Sequence, residues 1–122
     1  FIDNGLLSLQ LIDAETKLLE NAVAIQLFRH YGHDEDNERV FFYNDNIEVD
    51  FYVPEDELAI QVSYTLKSDD TYEREVSALS KLPKVYPCKR RMIITYDEET
   101  TLTDEHGVIE IVPCWKWMIR QA

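Results

Sequence analysis

The chain has 122 residues, of which 45% are apolar and 30% charged, the size and balance of one soluble domain with a single hydrophobic core. Its 24 acidic residues against 12 basic ones leave a net charge of −12, which opposes attraction to phosphate backbones and argues against a stand-alone nucleic-acid binder. No apolar run is long enough to cross a bilayer and no secretory leader is visible, so a cytoplasmic protein with no membrane partner is expected.

Cys88 and Cys114 belong to no CxxC or Cys/His cluster, and His30, His33 and His106 lack a ligand spacing. Two buried thiols are the plain reading, one structural disulfide is the alternative, and no zinc site is expected. The chain opens on Phe1 rather than methionine and reads as a piece of a longer protein.

Residues 1–13 (FIDNGLLSLQLID) read as a lead-in from a preceding domain, with a turn at Asn4-Gly5 and a short helix after it. Residues 14–122 read as the domain proper. Asp13 or Thr16 can cap a helix over residues 15–31, whose buried face is marked by Leu18, Leu19, Ala22, Val23, Leu27 and Phe28. Gly32 is placed to end it. An acidic loop over 33–38 follows, then a hairpin of two β-branched and aromatic strands, 39–43 and 47–53.

A turn at Pro54-Glu55-Asp56 leads to a third strand over 58–64, with Ile60 and Val62 on one face and Gln61 and Ser63 on the other. Asp50 is expected to share the face of Gln61 and Ser63. Ser68 or Asp70 can cap a second helix running to Leu82, with Val76, Leu79 and Leu82 inward and Pro83 as its stop. Strands over 91–96 and 108–112 and a closing helix or turn over 115–120 complete an order α-β-β-β-α-β-β-α. The fold class is α/β, a mixed central sheet flanked by helices.

A helix carboxylate at Glu20, a strand carboxylate at Asp50, and the polar Gln61 and Ser63 on the next strand form the skeleton of a one-metal phosphodiesterase site. Each has a plain reading too. Glu20 is by default a solvated charge or a partner for Lys17, and Asp50 the outward residue of an alternating strand. Lys81, Lys84, Lys89, Arg90 and Arg91 form the one basic cluster, with residues 84–91 as the candidate for phosphate contact. The acidic runs Asp34-Glu35-Asp36 and Asp97-Glu98-Glu99 lack the spacing of a calcium loop and read as solvated loops. Trp115, Trp117, Met118 and Ile119 either dock another domain or close this one's core.

The order of elements resembles the core of the restriction-endonuclease-like PD-(D/E)XK superfamily. Leu18-Leu19-Glu20-Asn21 with Val23, Glu48-Val49-Asp50-Phe51, Ile60-Gln61-Val62-Ser63-Tyr64, Arg74-Glu75 with Ala78-Leu79, and Val112-Pro113-Cys114-Trp115-Lys116-Trp117 are similar to one branch of it. That branch is the C-terminal domain of unknown function that follows an AAA+-type P-loop ATPase module in bacterial and archaeal proteins. The opening Phe1-Ile2-Asp3-Asn4-Gly5-Leu6 is also similar.

The resemblance implies that Asp50, an acidic residue at the position of Gln61, and Glu20 hold or support Mg²⁺, while a lysine at the position of Ser63 activates the attacking water. Hard oxygen ligands suit Mg²⁺, and a nearby cation helps deprotonate water. Here Gln61 offers only a neutral carbonyl oxygen and Ser63 carries no charge, so Arg74 or Lys81 is the candidate for a relocated cation. The resemblance also implies that ATP binds in the missing N-terminal module; no GxxxxGK[ST] motif occurs in this chain. The leading expectation is a catalytically degenerate nuclease-fold accessory domain, used for partner recognition or regulation of its ATPase. The rivals are an active Mg²⁺- or Mn²⁺-dependent nuclease and a purely structural interaction domain.

Overall fold

The computed structural model describes residues 4–32 and 39–121; the acidic run Asp34-Glu35-Asp36, His33 and the opening residues 1–3 lie outside them. Six strands form one mixed sheet: β1 (Phe41–Asp45), β2 (Ile47–Val53), β3 (Leu58–Val62), β4 (Arg90–Thr95), β5 (Thr100–Asp104) and β6 (Gly107–Pro113). Their spatial order is β1-β2-β3-β4-β6-β5. β1, β2 and β3 make an antiparallel meander. β3 pairs in parallel with β4, and β4 in parallel with β6. Helix α2 (Asp69–Lys81) supplies the crossover between β3 and β4 that a parallel pair requires.

The sheet is covered on both sides. Val23 and Leu27 of α1 (Asn4–Tyr31) and Trp117 of α3 (Cys114–Gln121) pack on one face, against Ile60, Val62, Met92 and Ile94. Ala78 and Leu79 of α2, with Leu82, pack on the other, against Val49, Ala59, Ile93 and Ile111. Met92, Ile93 and Ile94 are therefore all buried, as the unbroken apolar run of a central parallel strand requires.

Three sequence expectations change. First, α1 runs unbroken from Asn4 to Tyr31, so neither Asp13 nor Thr16 caps a new helix. Thr16 Oγ1 instead accepts the Tyr64 N–H at 3.0 Å and ties α1 to the end of β3. Second, Thr100–Asp104 is a strand, which makes six rather than five. It lies at the sheet edge with mostly exposed side chains, so it carries no apolar alternation to announce it. Third, of the two cap candidates for α2, Ser68 holds the N-cap position without a side-chain cap bond, and Asp70 lies inside the helix.

The hairpin contains a bulge. Phe41 faces Tyr52 while Tyr43 faces Val49, so β2 holds one more residue than β1 between those pairs. Val49 and Tyr52 consequently both reach the α2 side of the core, whereas Phe51 and Val53 pack on the α1 side. Asp50 sits within the bulge, where the pleat changes phase.

Candidate functional site

A cleft opens where the sheet forks. β2 and β3 are paired from Val53↔Leu58 to Phe51↔Ile60 and then part. β3 stays with β4, and the Ser63 N–H donates to the Ile94 carbonyl at 3.0 Å. At the fork, side chains complete the ladder. The Asp50 N–H donates to Gln61 Oε1 at 2.8 Å, and Gln61 Nε2 donates to the Glu48 carbonyl at 2.9 Å. In return the Val62 N–H donates to Asp50 Oδ2 at 2.8 Å.

The choice of residues follows from this exchange. The parted edge of β2 presents one N–H and one carbonyl, and an amide side chain carries an acceptor and a donor on two separate terminal atoms to meet them. Gln61, 2% exposed, is such a residue. Both ends of its amide are occupied by β2, so it serves as a lock between strands rather than as a ligand presented to the cleft. A glutamate here would leave the Glu48 carbonyl without its donor.

The cleft beside the fork has a volume of about 380 Å³. α1 contributes Lys17 and Glu20, β2 contributes Glu48 and Asp50, and α2 contributes Arg74 and Glu75. Four carboxylates thus share one concavity with two cations. The Asp50 carboxyl is pushed up to about 6, first by burial and further by Glu20 and Glu48; the Val62 N–H and Arg74 pull the other way. Glu75 is pushed up to about 7, again chiefly by burial, then by Asp50 and Glu20, against the pull of Arg74. Protons are held near neutral pH because the two carboxyls are buried and the negative charge around them exceeds what the cations neutralise.

Asp50, Glu20 and Ser63 are brought together at this cleft, as expected from the sequence. Ser63 is buried and its hydroxyl donates to the Thr65 carbonyl at 2.9 Å, so it brings no charge. Arg74 reaches the cleft, with Nη2 3.5 Å from Glu75 Oε1, although 72% of its side chain is exposed. Lys81 does not; it borders a separate depression with Asn44, Ile47 and Glu48. Glu75, Lys17 and Thr16 also line the cleft, although the sequence offered them only as a motif residue, a partner for Glu20 and a helix cap. Glu75 had a readable signal: it precedes Leu79 by four positions and Leu82 by seven, which puts an acid on the buried stripe of α2.

Asp50 and Glu20 are the candidate metal ligands, and the donor chemistry fits a weakly held hydrated cation. Mg²⁺ is usually bound by one or two carboxylates with several waters. Asp50 Oδ2 is taken by Val62, which leaves Oδ1 for such a contact. Among the described residues no three His, Cys, Asp or Glu side chains converge as a ready-made cage.

The other motifs resolve differently. Of the tract 84–91, Lys89, Arg90 and Arg91 each stand near a carboxylate, the first two with largely exposed side chains. Lys89 lies 3.8 Å from Glu57 and Arg90 3.9 Å from Glu110. Arg91 is 3% exposed and forms a bidentate pair with Asp104 at 2.6 and 2.7 Å, while also donating to the Leu79 carbonyl at 3.0 Å. The run Asp97-Glu98-Glu99 is tied down rather than solvated throughout: Glu98 Oε1 accepts the Leu66 N–H at 2.8 Å, and Glu99 pairs with Lys116 at 2.6 Å. Both cysteines are free thiols, Cys114 buried and Cys88 half-buried. No helix among the described residues is long and apolar enough to cross a membrane.

The sequence was compared with known proteins. The model of a domain of unknown function, DUF4143, matches residues 15–117. A protein of Methanocaldococcus jannaschii described only as uncharacterized is 36% identical over 110 residues, covering 84% of this chain and 24% of its own length. The chain therefore spans about a quarter of that relative. No solved structure matches it significantly. With the family match covering most of the described fold, from α1 to α3, the chain belongs to the DUF4143 family of domains of unknown function.

Proposed function

We propose that this domain is a restriction-endonuclease-like accessory module, C-terminal to an AAA+-type ATPase in a longer cytoplasmic protein, and that its cleft recognises or regulates rather than cuts. The observation that carries the reading is the state of Gln61. An acid at this position would be a metal ligand in active members of the superfamily, whereas here the amide is bonded at both ends to the backbone of β2. Ser63, at the position of the catalytic lysine, is neutral and buried. The ATPase placement is supported by the occurrence of DUF4143 domains C-terminal to ATPase domains; the archaeal relative is a longer protein, of which this chain covers 24%.

In this reading, ATP binds the preceding module, and Asp50 with Glu20 can hold a hydrated Mg²⁺ that neutralises cleft charge. Bound there, the ion would supply charge stabilisation to an incoming anion. Asp50 is held in place by Val62, and Arg74 screens Asp50 and Glu75 at the mouth. One observation favours the rival reading of an active Mg²⁺- or Mn²⁺-dependent nuclease: Arg74, unlike Lys81, does border the cleft. A guanidinium stays protonated at any working pH and cannot act as a base. It can only position an anion.

The test is ATP turnover by the longer polypeptide, wild type beside Arg74→Ala and Glu75→Ala. A change of severalfold in turnover is the expected result. Unchanged turnover would reject regulation through this cleft, and no turnover in any form would reject the ATPase placement.

A further inference from the structure

The packed helices α1 and α3 present apolar side chains outward as well as inward. Leu18 is 62% exposed and Ile25 54%, and with the half-buried Ala22 they stand at i, i+4 and i+7 along one stripe of α1. Trp115 is 61% exposed and Ile119 66%, one turn apart on α3. The inward sides of the same helices carry Val23, Leu27 and Trp117, which are fully or almost fully buried. A helix that is apolar on both sides is normally covered on both sides, and large exposed apolar residues gathered on adjacent elements mark contact surfaces.

We propose that the outward sides of the two packed helices, at Leu18 and Ile25 of α1 and at Trp115 and Ile119 of α3, are the seat of the rest of the same polypeptide. They would hold an apolar surface of the preceding module against this domain. The inference rests on the placement proposed above, that the chain is one domain of a longer protein. Two observations select this occupant. The archaeal relative has about three quarters of its length outside the matched region, and any module joined N-terminally to the fold is joined through α1. A second copy of this chain is a poor occupant, because two bodies of net charge −12 repel each other. The candidate cleft lies between α1 and α2 at the fork of the sheet, so a module seated on α1 also gains a mechanical connection to Glu20 and Lys17.

Oxidative footprinting of the full-length protein, read residue by residue by mass spectrometry, tests the proposal. Trp115, Ile119, Leu18 and Ile25 should oxidise about tenfold or more slowly in the native than in the denatured chain, as residues enclosed in an interface do. Phe42 and Tyr96, which are 63% and 55% exposed on other parts of the surface, serve as references and should be little protected. The protection should not change on dilution. Oxidation of Trp115 and Leu18 at the pace of the references would overturn the proposal, as would protection that disappears on dilution, since a separate molecule would then be the cover. ATP turnover measured on the same sample separates the two readings. Protection without turnover keeps the interface and removes the ATPase, and turnover without protection does the reverse.

Discussion

Asp50 and Gln61 exchange roles with each other's backbone: Gln61 Oε1 accepts the Asp50 N–H at 2.8 Å, and Asp50 Oδ2 accepts the N–H of Val62, the residue after Gln61, at 2.8 Å. Side chains thereby bridge two strands at the point where their ladder ends. The arrangement explains how a buried amide and a half-buried carboxylate persist beside the core. It also takes Gln61 out of the cleft as a ligand. Gln61→Ala should destabilise the domain by about 2–3 kcal/mol, because it leaves a backbone N–H and a carbonyl without partners. Gln61→Glu should cost a similar amount at pH 7.5, having lost the donor to Glu48 and gained a neighbour that repels Asp50. Urea denaturation of the two variants checks both; a neutral Gln61→Glu would show that the amide donor is dispensable.

The carboxyls of Asp50 and Glu75 should make the domain more stable in mild acid than at neutral pH. Both retain their protons more tightly folded than unfolded, with folded values of about 6 and about 7. Their contribution is complete below about pH 4 and declines as pH rises through 6 and 7. Between pH 5 and pH 7.5 a loss on the order of 3–4 kcal/mol is expected for the two groups together. Asp50→Asn and Glu75→Gln should each flatten that slope and raise stability at pH 7.5. Denaturation midpoints measured across this range would contradict the assignment if wild type and both variants ran parallel.

Asp104 sets the opposite limb. The Arg91 guanidinium holds its carboxyl well below the usual carboxylate range, helped by the Ser80 hydroxyl and the His106 N–H. Stability from this group is present above the ordinary carboxylate pKa and is lost as strong acid protonates the pair. Arg91→Ala should be severe, about 3–5 kcal/mol, since it strands Asp104 and removes the donor to the Leu79 carbonyl. If Arg91 were a phosphate contact, the same substitution would leave folding nearly untouched. Thermal unfolding at neutral pH distinguishes the two.

The sequence reveals the helices that bury one regular stripe and the strands that are apolar throughout, because periodicity and β-branching report packing directly. α2, β2, β3 and β4 were legible for that reason. The bulge at Asp50 was not, since its cause is a register difference between β1 and β2 that no single strand displays. β5 (TTLTD) escaped notice because an exposed edge strand has no buried face to pattern. Asp50, Glu20 and Ser63 could be grouped by spacing and resemblance, but the bonds of Gln61 depend on how far β2 and β3 diverge. Arg91 and Asp104 look like surface charges until the fold places one behind α2 and the other at a strand end.

On the proposed reading this cleft does not perform metal-dependent phosphodiester cleavage. The direct measurement is cleavage of labelled single- and double-stranded DNA and RNA with Mg²⁺ or Mn²⁺, by the full-length protein with ATP, wild type beside Asp50→Ala. No cleavage above background is expected from either well-folded protein. Cleavage by wild type that disappears in Asp50→Ala would contradict that reading and make Arg74 the cation to examine next.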